Sequence, residues 1–134
     1  MRNLLRDRRG ELDEAALVLP VLLLISLALV NMAILGFAAV NAGNAANYGA
    51  RMGSVAQSNP AGVAIASANQ MLAAAPVGSY VVSVSGSGLP GAMMTVTVRY
   101  TVPKYFGGLA GFFGVSSPGN FTNTATSYFR QEGW

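Results

Sequence analysis

The chain of 134 residues contains no cysteine and no histidine. Without them, Ser-His-Asp and Cys-His nucleophile systems and ordinary zinc sites lack their parts. No disulfide braces an exported segment, so a small domain has to hold together by its own core or by its neighbours. Acid is scarce as well: beyond residue 14 the only acidic side chain is Glu132. That excludes paired-carboxylate glycoside hydrolysis and carboxylate-rich calcium or magnesium cages within one copy. The glycines near Gly107 lack the following Lys-Ser/Thr and the strand-to-helix setting of a phosphate loop, and no dinucleotide glycine pattern occurs. Catalysis, a cofactor and a metal are therefore not expected. Past the first nine positions the basic residues stand singly at Arg51, Arg99, Lys104 and Arg130, so the net charge of +3 makes no stripe for nucleic acid.

What the chain has instead is one long uncharged run. Between Glu14 and Arg51 lie 36 residues without a formal charge, and the fourteen residues before that run hold four arginines and four acids. A bilayer's hydrocarbon core takes about 20 apolar residues of helix at roughly 1.5 Å of rise each. Ala15 to Val40 is enough, and Ala15 to Val30 is apolar all round, as a helix among lipid or packed subunits must be. Arg2, Arg6, Arg8 and Arg9 all precede the run. The bias of basic residues toward the cytoplasm then places the N-terminus inside and everything after about Val40 outside.

The expected organisation is a leader at 1–10, a long helix at 11–57 that spans the membrane in its first half, and a small extracytoplasmic α+β head at 58–134. Past the apolar run the helix changes character. Gly36, Ala39, Gly43, Ala46, Ala50 and Gly53 recur at spacings of three and four, which on a helix makes a face where another backbone can approach closely. Asn41, Asn44, Asn47 and Arg51 form a polar stripe beside it, either a solvated side or a subunit contact. Each glycine inside a helix costs roughly 1 kcal/mol relative to alanine, so Gly36, Gly43, Gly49 and Gly53 call for compensation by close packing. Pro20, inside the apolar run, removes one backbone hydrogen bond and is expected to kink or loosen the helix, a break that neighbours in a membrane can cover.

In the head, Ser58-Asn59-Pro60 is a helix-start signal with Asn59 as N-cap and Pro60 at the first helical position, and the helix ends near Ala75 before Pro76-Val77-Gly78. The period then becomes two. Tyr80, Val82 and Val84 share one face of a strand, Met94, Val96, Val98, Tyr100 and Val102 one face of a second strand at 93–102, and Phe121 to Arg130 makes a third. Three strands with one apolar face need a cover that only the helices can supply. Between the second and third strands, Tyr105, Phe106, Leu109, Phe112 and Phe113 sit in a glycine-rich connection. So many large apolar side chains suit either a subunit-contact loop or a lid over the head's own core.

Arg8-Arg9-Gly10, then Glu14, Ala16-Leu-Val-Leu-Pro20 and the long apolar helix resemble the start of the TadE-like pseudopilins, relatives of type IV pilins from tight-adherence (Flp) pilus systems. Val96 to Pro103, the aromatic-glycine connection and the closing Ala125 to Glu132 resemble the strand pair and terminal segment of such proteins. The resemblance implies cleavage between Gly10 and Glu11 by a prepilin-type peptidase on the cytoplasmic face. It also implies that Glu14 aids insertion or assembly by meeting a neighbour's free amino terminus; Glu14 stands one residue closer to the glycine than is usual in the family. The implied protein is a structural subunit that sits in the inner membrane, engages a pilus assembly platform, and joins copies or kin in an extracellular filament. Its association would run through Glu14, Pro20, Gly36, Gly43, Ala46, Ala50 and Gly53. An alternative from another class is a single-pass anchored accessory protein of a pilus or secretion machine that never polymerises.

Overall fold

The computed structural model describes residues 4–75, 77–112, 114 and 119–132, and of residues 4–13, Leu109 and Phe112 the backbone only. The elements run α1 (Leu4–Ser54), α2 (Pro60–Leu72), β1 (Ser79–Ser85), β2 (Met93–Val102), α3 (Gly107–Phe112) and β3 (Phe121–Arg130). This is the expected α+β layout: a long apolar helix, a short helix and a three-stranded antiparallel sheet. The chain divides into two compact units, Met1–Ala33 with Lys104–Pro118, and Ile34–Pro103 with Gly119–Trp134.

The second unit is the head. Its sheet is a meander in the order β1-β2-β3. The register aligns the apolar positions of all three strands: Val82 and Val84 face Val98 and Val96, and Met94, Val98 and Val102 face Phe129, Ala125 and Phe121. With a side-chain period of two, this one register places every apolar pair on the same side. On that side Met94, Val96, Val98 and Val102 are buried, and so are Ala38, Ala42, Ala45, Ala46 and Ala50 of α1 and Ala64, Ala68 and Leu72 of α2. The other side is a threonine ladder in which Thr97 faces Thr126 and Thr101 faces Thr122, the last pair with hydroxyls 3.2 Å apart.

Alanines and glycines dominate the helical side of this core, so the backbones come close together. A Cβ on Gly49 would lie 2.7 Å from the carbonyl oxygen of Ala64, and one on Gly53 would lie 2.8 Å from Phe129 Cζ and 2.9 Å from Ala64 Cβ. The crossing of α1 with α2 therefore depends on hydrogen at those two positions. Asn59 starts α2 as the sequence implies. It adopts the left-handed conformation (φ 46°), and its side-chain oxygen accepts the Gly62 N–H at 3.1 Å, satisfying one of the donors a helix start leaves open. The far end of the head is tied by Gln131, which is buried. Its Nε2 donates to the Ala56 carbonyl at 2.7 Å, its N–H to Ala92 O, and the neighbouring Glu132 N–H to Ser54 O.

In the other unit α1 runs through Pro20 as one helix. The connection after β2 is more ordered than its glycine content suggests, because Gly107–Phe112 forms the short helix α3. It belongs to the same compact unit as the first part of α1. A polar side chain in the apolar helix explains where it goes. Asn31, 1% exposed, accepts the backbone N–H of Tyr105 on its Oδ1 at 2.8 Å.

Candidate functional site

The described residues hold no group of three His, Cys, Asp or Glu side chains placed to share a metal ion. The candidate site is instead the surface of α1, which changes along its length. From Glu14 to Ser54 the helix is long and apolar enough to cross a membrane, and only 6% of its most apolar 18-residue window is buried by the rest of the chain. Leu17, Leu22, Leu29 and Met32 are more than half exposed. Burying a side chain of this size stabilises by about 1.5–3 kcal/mol, so a run of them facing water would be strongly unfavourable. Such a surface suits a lipid or protein environment.

The expected assembly residues divide into two groups. Ala46, Ala50 and Gly53 are buried in the head, against α2 and the sheet of the same chain. Gly36 and Gly43 are different: a Cβ at either would meet nothing within 4 Å. Gly36 is exposed and Gly43 half-buried, so these two are the small residues of the stripe with room in front of them. Pro20 is half-buried and Glu14 exposed at the start of the apolar segment. Gly10 and Glu11, the expected processing pair, fall on the backbone of α1, and the Glu11 side chain lies outside the described residues.

Of the polar stripe, Asn44, Asn47 and Arg51 are exposed. Asn41 turns inward, and its Nδ2 and the Tyr80 hydroxyl are both buried without a hydrogen-bond partner. Burial pushes the Tyr80 phenol above its ordinary value of 10.0, and the Asn41 side chain beside it acts in the opposite direction. In the aromatic connection Tyr105 is 58% exposed and Phe106 half-buried. The side chains of Leu109 and Phe112, and all of Phe113, lie outside the described residues.

Three features escape a reading of the sequence. Asn31 is a single polar residue in an apolar run and carries no periodic signal. Gln131 looks like one more polar residue of the closing segment, yet it is the buried tie between β3 and the end of α1. The third is an open cavity of about 480 Å³ where Asn47, Arg51 and Ser54 of α1 meet Tyr128, Arg130 and Glu132. It gathers two guanidinium groups and a carboxylate from residues that stand singly in the sequence. Arg130 is already engaged there, its Nε donating to the Gly91 carbonyl at 3.2 Å. No protein-family model matches the chain, and neither a curated protein nor a solved structure matches it.

Proposed function

We propose that this chain is a pilin-like structural subunit of the kind the TadE-like pseudopilins represent. It is held in the inner membrane by α1 with its N-terminus in the cytoplasm, and then assembled through the same helix into a type IV-like filament. The observation that carries this reading is the contrast along α1. The C-terminal part is locked into the head by Ala46, Ala50 and Gly53, while the part from Glu14 to Val30 presents an apolar surface that the other described residues leave open. A helix of that design gives a subunit one rigid handle for two environments, lipid before assembly and neighbouring helices after it. Gly36 and Gly43 add open small positions just above the apolar segment, where another helix can approach. A carboxylate at the edge of hydrocarbon, as at Glu14, is costly unless paired, and a neighbour's amino terminus is a suitable partner. The work of the protein is association, not catalysis.

Amino-terminal sequencing of the protein from sheared filaments and from membranes tests this. A start at Glu11 in the sheared fraction is the expected result, and a Met1 form confined to membranes contradicts it. The second reading, a non-polymerising anchored accessory protein, draws support from one specific observation. Ala39, Ala46, Ala50 and Gly53 of the small-residue stripe pack into the chain's own head, leaving less of it for partners.

A further inference from the structure

The connection between β2 and β3 is apolar, yet it is organised around a polar contact with the membrane-type helix. Asn31 holds the Tyr105 N–H at 2.8 Å. Ala110, 4% exposed, donates its N–H to Phe106 O at 2.9 Å, and Gly107 and Gly114 close turns onto Lys104 O and Gly111 O. Four backbone donors of this segment, at Tyr105, Gly107, Ala110 and Gly114, are thus met from within the unit, which lowers the cost of seating non-spanning backbone near a membrane. From Tyr105 to Phe129 the sequence has no charged residue, and its first part is rich in aromatic and small apolar side chains.

Register along α1 fixes the depth. Asn31 lies seventeen residues after Glu14, about 25 Å along an α-helix, against a hydrocarbon core of about 30 Å. With Glu14 at the cytoplasmic edge, Asn31 falls within about 5 Å of the opposite edge, the zone where aromatic side chains with a polar tip concentrate. Tyr105 is such a side chain, exposed beside Asn31.

We infer that Lys104 to Phe112 is an interfacial segment, seated before assembly in the outer leaflet at the boundary of headgroups and acyl chains, with Asn31 as its tether to the spanning helix. The occupant of the surface that the exposed Tyr105 presents is lipid. The inference rests on the membrane topology proposed above and adds a second lipid contact that a single spanning helix does not require. Asn31 is a positioning residue in this arrangement, and the tyrosine and phenylalanine at 105 and 106 make the contact.

The absence of cysteine makes the test clean. The full chain is reconstituted in phosphatidylcholine–phosphatidylglycerol vesicles as the single variants Leu23→Cys, Ser83→Cys and Tyr105→Cys. Each carries an environment-sensitive bimane label, read against lipids brominated either near the headgroup or near the chain end. The label at 105 is expected to be quenched several-fold more by shallow than by deep bromines, the label at 23 by deep bromines, and the label at 83 by neither. Adding Asn31→Leu is expected to abolish the shallow quenching at 105 while leaving 23 unchanged. If 105 behaves like 83 while 23 is still quenched, the interfacial segment is refuted and the spanning helix stands. If 23 is not quenched either, both are refuted. Capture of 105 by a protein cross-linker without lipid quenching also overturns the inference, in favour of a protein partner.

Discussion

One added methyl group on α1 has opposite consequences at glycines only a few turns apart. At Gly49 and Gly53 it would run into Ala64 and Phe129, so Gly49→Ala and Gly53→Ala are expected to destabilise the head by about 1–3 kcal/mol. At Gly43, where nothing lies within 4 Å, Gly43→Ala is expected to stabilise it by up to about 1 kcal/mol. Chemical denaturation in detergent followed by circular dichroism measures both, and an equal effect at all three positions would contradict the packing described. The glycine spacing was legible in the sequence, but its division was not. At 3.6 residues per turn, positions seven apart drift by about 20°, and Gly36 and Gly53 end up about 100° apart around the helix. They cannot both sit at the centre of one face. The face the head occupies is centred on Ala42, Ala45, Ala46 and Gly49, of which the small-residue stripe read from Gly36 holds only Ala46. Tyr80 gives a second prediction. Its hydroxyl is buried without a partner, so Tyr80→Phe is expected to leave stability unchanged or raise it by up to about 1 kcal/mol. The unfolded phenol ionises near 10 and the folded one above that, so the tyrosine's contribution is intact below about pH 10 and is lost as pH rises through the folded value. Denaturation midpoints taken on both sides of pH 10 should show a fall in the native chain that the phenylalanine variant lacks.

Among the elements, those with a strong period or a turn-specific residue were readable. The strand at 93–102 alternates from Met94 to Val102, and the apolar positions of that stretch are the buried ones, while Met93 at its start is exposed; Asn59-Pro60 marks the start of α2 within a residue. Asn59→Ala removes both the cap and the residue type best suited to a left-handed φ. A loss of about 1–2 kcal/mol is expected, with faster amide exchange across the first turn of α2. Protection unchanged there would mean that the cap is incidental. The short helix α3 was hidden for a physical reason. Glycine at 107, 108 and 111 opposes helix by local propensity, and the Asn31 carboxamide, 74 residues away in sequence from Tyr105, helps to fix its entry. Long-range anchoring of that kind leaves no local trace. For the same reason the cavity between Arg51 and Arg130 could not be foreseen, since it exists only once β3 lies beside the end of α1.

At the scale of the whole molecule, α1 divides its duties: its C-terminal turns belong to a folded head, and its N-terminal turns keep an apolar surface for whatever surrounds them. Gly43 is the position that separates these duties, because it has open space in front of it. Gly43→Leu is expected to leave membrane insertion and the fold of the head intact while abolishing filament yield; normal filaments from this variant would remove Gly43 from the association surface. Gly53→Leu is not informative in the same way, since it disrupts the head first. The central claim is that the exposed apolar helix passes from lipid to other helices, and photo-crosslinking tests it most directly. A benzophenone attached at Leu29→Cys, a position 62% exposed, is irradiated in membranes and again in sheared filaments. The account predicts adducts to phospholipid in the first case and to the helices of filament subunits in the second; lipid adducts alone, with none of the protein in the sheared fraction, would contradict it.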